Sequence, residues 1–129
     1  MTKILIADDQ QLIRESLKII LDTDKDFDVI VSNPPYIKTQ VINTLDKEVK
    51  NEPIIALDGG DDGLYFYKKI INEAFNFLSD NGMIFLEIGY DQKEDVENLL
   101  KENKNYSEIK TIQDLSGNDR CVIAKVGKI

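Results

Sequence analysis

Short apolar runs that alternate with helical patterns constrain the fold of this chain more strongly than any other feature. Runs of strand length occupy residues 3–8, 27–32 and 83–88. Helical spacing of apolar side chains lies between them, at Ile13, Leu17, Ile20 and Leu21, and again at Tyr67, Ile70, Ile71, Ala74, Phe75 and Leu78. Strands that alternate with helices in this way predict a parallel sheet covered on both faces.

Capping signals predict where the later helices begin and end. Gly82 follows one helical pattern in the sequence Asp-Asn-Gly and is a C-cap signal. Asp91 followed by Glu94 resembles a capping box that opens the next helix. Residues 38–62 have weak periodicity, which predicts a long and partly irregular loop.

The C-terminal part of the chain adds a pair of antiparallel strands. Segments 106–113 and 119–126 are separated by the turn sequence Ser-Gly-Asn, which is typical of a hairpin. We therefore predict an α/β three-layer sandwich with a mostly parallel five-stranded sheet in the order 1-2-3-5-4, whose last strand is antiparallel. The 129 residues suit a single α/β domain over residues 1–129.

Composition excludes several functional classes. The 16 basic residues are interspersed with 24 acidic ones, and a net charge of −8 argues against a nucleic-acid partner. No apolar run is long enough to cross a membrane, and the N-terminus lacks a secretory signal, so we expect a cytoplasmic protein. Cys121 is the only cysteine and the chain has no histidine, which leaves no disulfide, zinc site or thiolate–imidazole pair.

The second apolar run ends on an unusual sequence, Asn-Pro-Pro-Tyr, at residues 33–36. A planar amide nitrogen is a poor nucleophile, and a rigid site could help it by accepting both of its N–H hydrogen bonds. Asn33 offers a side-chain carbonyl, Pro34 a backbone carbonyl with restricted geometry, and Tyr36 a ring that can pack on a flat group. Ligands of open α/β sheets bind beyond the carboxyl ends of strands, where these residues fall. The alternative is a simple strand terminator, since proline cannot donate to the ladder.

Four motifs in order carry a family resemblance: SNPPYI, EPIIALDGGDDGLYFYKKI, LEIGYDQKEDV and DLSGNDRCVIA. Over residues 27–127 the chain resembles the C-terminal half of the catalytic domain of release-factor glutamine methyltransferases. These enzymes methylate a glutamine side-chain amide with S-adenosylmethionine. The resemblance implies a Rossmann-like methyltransferase fold and a release-factor-like glutamine peptide as partner.

The same resemblance implies roles for individual residues. Asn33 and Pro34 would hold the amide nitrogen of the substrate, and Tyr36 would line the pocket. Asn33 would also lie close to the methyl group of the cofactor, which makes it the cofactor-binding residue of this half. An acidic and glycine-rich loop would frame the site at Glu52, Pro53, Gly59, Gly60 and Gly63.

Residues 1–27 resemble a different family, the first strand and helix of a response-regulator receiver domain. That resemblance implies Mg²⁺ binding by Asp8 and Asp9, because hard carboxylate oxygens suit this ion. The alternative is an acidic helix N-terminus stabilised by the helix dipole. Asn33 falls where a receiver has its phosphoacceptor aspartate, so normal phosphorelay chemistry is not expected.

The cofactor half of the methyltransferase family is not recognisable in this sequence. No glycine precedes Gly59, whereas the family has a glycine-rich loop after its first strand. We therefore predict a chimera, engineered or natural, of a receiver-like segment 1–27 and a methyltransferase-like segment 28–129, with a methyltransferase/flavodoxin-like hybrid fold. S-adenosylmethionine binding is then not expected.

Three functions remain open on the sequence alone. The first is a folded hybrid without native catalytic activity, the second a residual methyltransferase acting on a glutamine amide, and the third a receiver-like signalling module with a Mg²⁺ site. In the hybrid the first strand would lie at the sheet edge, and its apolar residues 3–7 predict a homodimer or strand-swapped assembly through that edge.

Overall fold

The computed structural model describes residues 3–7, 27–42 and 59–127, and these residues form one five-stranded sheet. The strands are β1 (Ile4–Ala7), β2 (Phe27–Ser32), β3 (Leu78–Glu87), β4 (Tyr106–Gln113) and β5 (Asp119–Val126). Their order is β1-β2-β3-β5-β4. The first three are parallel, and β5 is antiparallel to both of its neighbours. The predicted order and the antiparallel last strand are confirmed.

Three helices lie within the described residues: α1 (Thr39–Ile42), α2 (Tyr65–Ala74) and α3 (Lys93–Glu102). The longer two, α2 and α3, bury their apolar stripes against alternate residues of the central strands, because side chains on a strand alternate between faces. The resulting core includes Tyr67, Ile71, Ile84, Leu86, Val96, Leu100, Val122 and Ala124. This helix-covered face stabilises the sheet and fixes where its strand ends lie.

The opposite face of the sheet is more accessible at its β1 edge. Ile4, Ile6 and Val31 are 54%, 62% and 37% exposed, although all three are aliphatic. The helix predicted from residues 13–21 lies outside the described residues, as does most of the loop predicted from 38–62. Coverage of this second face therefore stays a prediction.

The sequence places the end of α2 too late. The helix ends at Ala74, and Leu78, predicted on the helical face, is a fully buried strand residue that pairs with Phe27. The backbone N–H of Phe27 donates to the carbonyl of Phe77 at 2.9 Å, so pairing with β2 begins before the predicted strand start. Gly82 is accordingly not a helix cap. It lies in a bulge of β3, where an added Cβ would meet the Ser79 carbonyl at 2.9 Å.

The turn between β4 and β5 forms as the sequence predicts. One carboxylate oxygen of Asp114 accepts hydrogen bonds from the backbone N–H groups of Ser116 and Asn118, at 2.9 and 3.0 Å. Gly117 has a φ of 83°, which glycine adopts without the steric cost that other residues meet. The same hydrogen bonds, from Asn118 first, hold the pKa of the Asp114 carboxyl below its usual value.

Tyr67 joins α2 to the carboxyl end of β3. Its side chain is completely buried, and its hydroxyl donates to the Glu87 carbonyl at 2.6 Å. Burial raises the pKa of the phenol above its ordinary 10.0, and nearby Tyr36 and Glu87 act in the same direction. The hydroxyl is therefore neutral wherever the protein is folded at ordinary pH.

A pH dependence follows from Tyr67. Because its pKa is raised in the folded state, its contribution is complete below the unfolded pKa and is lost as pH rises above that value. We expect wild-type unfolding free energy to fall more steeply than that of Tyr67→Phe, by about 1.4 kcal/mol per unit above a pH of about 10. Urea unfolding on both sides of that pH measures the two slopes, and equal slopes would contradict the assignment.

Candidate functional site

The 33–36 loop begins where β2 leaves the sheet. Ser32 is the last paired residue of β2, with partners on both β1 and β3. Asn33 follows it and is exposed, whereas Pro34 and Pro35 are buried and Tyr36 is partly buried. Proline lacks the N–H needed to extend a ladder, so the chain turns here at the carboxyl end of the parallel strands. The structure thus brings Asn33, Pro34 and Tyr36 together in one loop at this edge.

Two glycines of the predicted framing loop lie directly against Tyr36. A Cβ on Gly59 would lie 2.6 Å from Tyr36 Cα, and a Cβ on Gly63 would lie 2.5 Å from the Tyr36 carbonyl oxygen. The Gly59 N–H also donates to the Ile37 carbonyl at 2.7 Å. Contacts this close are open only to glycine, so the backbone of the two loops packs without side chains between them. Glu52 and Pro53 lie outside the described residues.

Gln92 is a site residue that the sequence reasoning missed. Its side chain is 6% exposed, and its Nε2 donates to the carbonyls of Tyr36 at 3.1 Å and Gly63 at 3.3 Å. Its Oε1 accepts the N–H of Gly89 at 2.9 Å. One carboxamide therefore joins the 33–36 loop, the glycine loop and the loop between β3 and α3.

The role of Gln92 also corrects the predicted start of α3. The N-cap position is Gln92 rather than Asp91, and no side-chain hydrogen bond caps the helix. The prediction of a capping box at Asp91 and Glu94 was wrong. The spacing of the two residues suits such a box, but the helix begins one residue later than that spacing requires. The only sequence signal for Gln92 was its amide side chain three residues after Gly89, in the segment that follows a buried strand.

Gly89 also sets the position of the Tyr36 ring. A Cβ on Gly89 would lie 3.1 Å from two carbons of that ring and 3.1 Å from Gln92 Oε1. The Cδ2–Cε2 side of the ring therefore lies close to the backbone of the β3–α3 loop, near the point where Gln92 binds that loop. Tyr36 has little room to turn inward, and its orientation depends on the absence of a side chain at position 89.

A groove opens beside Asn33, on the face of the sheet opposite α2 and α3. Its volume is about 410 Å³, and its floor is mainly aliphatic and aromatic, with Val29, Val31 and Phe85 among its residues. Its polar lining residues are Ser32, Asn33, Glu87 and Arg120. Cys121 also lines it, and burial raises the pKa of that thiol. The groove offers an apolar surface next to the exposed amide of the 33–36 loop.

A metal site receives no support from the described part of the chain. Asp8 and Asp9 lie outside it. Within residues 3–7, 27–42 and 59–127 no group of three or more His, Cys, Asp or Glu side chains could hold an ion. In the same ranges, no helix has the length and apolar character required to cross a membrane.

Comparison with known families covers nearly the whole chain. Residues 3–121 match the family model described as Eco57I restriction-modification methylase. The chain belongs to this methylase family. It is also similar to curated release factor glutamine methyltransferases, at 50% identity over 100 residues with the Clostridium botulinum enzyme and 42% over 118 residues with the Francisella tularensis enzyme.

The chain spans little more than a third of these relatives. It covers 35% of the length of the C. botulinum enzyme and 40% of the F. tularensis enzyme, although they cover 77% and 91% of this chain. The resemblance to the glutamine methyltransferases is thus strongly supported, while what the whole enzymes do is not carried over by similarity alone.

Solved structures agree with the fold. A release factor-specific protein-(glutamine-N5) methyltransferase from Alicyclobacillus acidocaldarius superposes with a TM-score of 0.61 at 20% identity, over 98% of this chain and 81% of the other. The E. cuniculi Mtq2–Trm112 complex, described as responsible for methylation of the eRF1 termination factor, gives 0.55 at 16% identity, over 98% and 86%. The five-stranded mixed sheet is therefore the Rossmann-like methyltransferase fold.

The receiver resemblance and the chimera find no support in these comparisons. The methylase family model begins at residue 3 and so includes nearly all of the segment 1–27 assigned to a receiver. None of the relatives described above is a receiver.

Two glycine variants can separate the effect of steric overlap with Tyr36 from the effect of backbone strain on stability. Gly63 and Gly117 both have positive φ, 75° and 83°, but a Cβ on Gly117 would meet no atom within 4 Å. Alanine at either position costs about 1–2 kcal/mol for the left-handed conformation. We expect Gly63→Ala to cost at least about 1 kcal/mol more than Gly117→Ala, because only the former overlaps Tyr36. Denaturant unfolding measures both, and equal losses would contradict the packing described.

Proposed function

We propose that this chain binds the side-chain amide of a glutamine in a protein or peptide, at the 33–36 loop. The observation that carries the proposal is an exposed Asn33 beside the buried Pro34 and Pro35, at the carboxyl edge of parallel strands. Similarity to release factor glutamine methyltransferases supports it, because those proteins act on the same chemical group by name.

The chemistry of the loop suits a neutral carboxamide. Asn33 offers an exposed side-chain carbonyl, and Pro34, which is fully buried here, would offer its backbone carbonyl once a ligand displaces what covers it, so that two acceptors meet the two N–H groups of one amide nitrogen. Holding both N–H groups orients the nitrogen lone pair and excludes water from it. A glutamate carboxylate has no such N–H groups and would place negative charge against two carbonyl oxygens. The loop should therefore discriminate glutamine from glutamate.

S-adenosylmethionine is the methyl donor that the family resemblance implies, and it would supply the electrophilic methyl group. The described residues do not fit a complete site for it. A Cβ on any glycine between residues 59 and 89 would lie 3.1 Å or less from an atom of another residue, so the position of a side chain at each of these glycines is filled by protein. No glycine precedes Gly59. We propose that Asn33 is the one described residue facing the cofactor side.

The chain on this proposal is the substrate half of a glutamine methyltransferase fold, without native catalytic activity by itself. This keeps the lack of native activity from the first of the three functions considered from the sequence, without its hybrid origin, and makes a residual methyltransferase the alternative. The receiver-like module with Mg²⁺ at Asp8 and Asp9 has no described geometry to support it. A single domain over 1–129 and a homodimer through residues 3–7 stay predictions, the latter favoured by the exposure of Ile4 and Ile6.

Binding of a glutamine side chain can be measured directly. We expect a blocked pentapeptide with a central glutamine to shift the nuclear magnetic resonance signals of the Asn33 side chain and the Tyr36 backbone, and the matched glutamate peptide to leave them unchanged. Asn33→Ala should weaken binding about tenfold, the loss expected for one hydrogen bond. Asn72→Ala is the control, because Asn72 is exposed on α2 and lines a different groove, between α2 and α3.

Two results would contradict this proposal. Equal shifts from the glutamine and glutamate peptides would remove amide recognition, and unchanged binding in Asn33→Ala would remove the role of that side chain. Calorimetric titration with S-adenosylmethionine, beside a full-length release factor glutamine methyltransferase, tests the cofactor half. Affinity equal to that of the full-length enzyme would favour the residual methyltransferase instead.

A further inference from the structure

Gln92 makes an unusual set of contacts for a residue at the start of a helix. Its two polar atoms contact three backbone groups from three separate segments, at Tyr36, Gly63 and Gly89. Tyr36 and Gly63 precede it by 56 and 29 residues along the chain. A buried carboxamide costs free energy unless it is hydrogen-bonded, and here every one of these bonds leads to a loop of the proposed amide site.

The hydrogen bond to Tyr36 is close to the groups that would hold the substrate. Pro34 offers its carbonyl two residues before the Tyr36 carbonyl, and Pro35 lies between them. Between the Pro34 and Tyr36 carbonyls the pyrrolidine ring fixes φ of Pro35 and the peptide planes fix both ω angles, which leaves ψ of Pro35 and φ and ψ of Tyr36 as the soft torsions. Because Pro34 and Pro35 are buried as well, a shift of the Tyr36 carbonyl that these three torsions do not absorb moves the Pro34 carbonyl or distorts the packed turn.

We propose that Gln92 is a positioning residue for glutamine recognition: its carboxamide fixes the Tyr36 carbonyl and thereby the direction of the Pro34 carbonyl that accepts the substrate N–H. This inference rests on the proposed function of the 33–36 loop. Gln92 itself does not contact the substrate, because its polar atoms are occupied by the three backbone groups. Its effect is preorganisation of an acceptor pair before the ligand arrives.

Replacement by glutamate gives a test with a pH signature. In Gln92→Glu a neutral carboxylic acid can donate one hydrogen bond and accept the Gly89 N–H, whereas a carboxylate faces the Tyr36 and Gly63 carbonyls with no donor. Burial raises the pKa of such a carboxyl above its unfolded value of about 4.3. Loop order and peptide binding in Gln92→Glu should therefore be near wild type at low pH and be lost as pH rises through the raised folded pKa.

Gln92→Met completes the comparison, since methionine has similar length and no amide. We expect the affinity for the glutamine pentapeptide to fall about tenfold at every pH in Gln92→Met, which corresponds to the free energy of one hydrogen bond. Gln113→Met is the matched control, because Gln113 is an exposed glutamine on β4. The wild type and Gln113→Met should bind equally and show no such pH dependence.

Two sets of resonances separate positioning from general stability. Backbone signals of Tyr36, Gly63 and Gly89 report on the loops, and those of Leu86 and Val122 report on the core. The proposal predicts that Gln92→Met shifts the first set and leaves the second unchanged, with recovery in Gln92→Glu at low pH. Loop signals that do not move, or peptide binding that declines only in step with core signals, would overturn it.

Failure of the proposed function gives a different result. If the wild type binds no glutamine peptide, the function of the 33–36 loop is refuted, and the loop resonances alone then decide whether Gln92 fixes the Tyr36 carbonyl. Wild-type binding combined with unaltered binding in both Gln92 variants would instead refute positioning and leave the proposed function standing.

Discussion

The arrangement of the site depends on one buried carboxamide. Gln92 satisfies the carbonyls of Tyr36 and Gly63 and the N–H of Gly89 with a single side chain. The loops of Tyr36 and Gly89 follow β2 and β3, the loop of Gly63 leads into α2, and none of the three groups belongs to a strand ladder. Without a shared partner each would need water or a separate side chain. The carboxamide thus replaces several independent contacts and makes the three loops one unit.

Glycine permits that unit to form. Gly59, Gly63 and Gly89 lie so close to Tyr36 that a Cβ would overlap its backbone or crowd its ring. The sheet supports the same edge from below, since Tyr67 ties α2 to the last residue of β3 through a fully buried hydroxyl. Backbone packing therefore holds the 33–36 loop rigid while the Asn33 side chain stays exposed. Rigidity with one exposed polar group is what recognition of a flat amide requires.

Much of the fold follows from the sequence, because apolar periodicity reports burial directly. Residues 27–32, 106–113 and 119–126 were predicted with the bounds that β2, β4 and β5 have. The end of α2 was missed, since Leu78 continues the helical spacing but is taken into the sheet by pairing with Phe27. Local periodicity does not show whether a residue ends a helix or pairs with a strand about fifty residues away in sequence.

The site was predictable only where its chemistry is local. Asn33, Pro34 and Tyr36 lie in one tetrapeptide and can be recognised together. The glycines that follow in the chain suggest that another backbone segment approaches closely there. Gln92 could not be found this way, because its role depends on three loops that meet only in the folded chain. The receiver function suggested for residues 1–27 rests on a short local likeness and has no support, whereas the methylase pattern runs from residue 3 to 121.

The most direct test of this account is hydrogen exchange at the Gly89 amide in the unmodified protein. That N–H has Gln92 Oε1 as its acceptor at 2.9 Å and lies in a loop, so its protection reports on the carboxamide and not on a strand ladder. The account predicts that Gly89 exchanges as slowly as Ile88, which donates to the Arg120 carbonyl at 2.8 Å. Exchange at the rate of the exposed amides in the turn between β4 and β5 would contradict it.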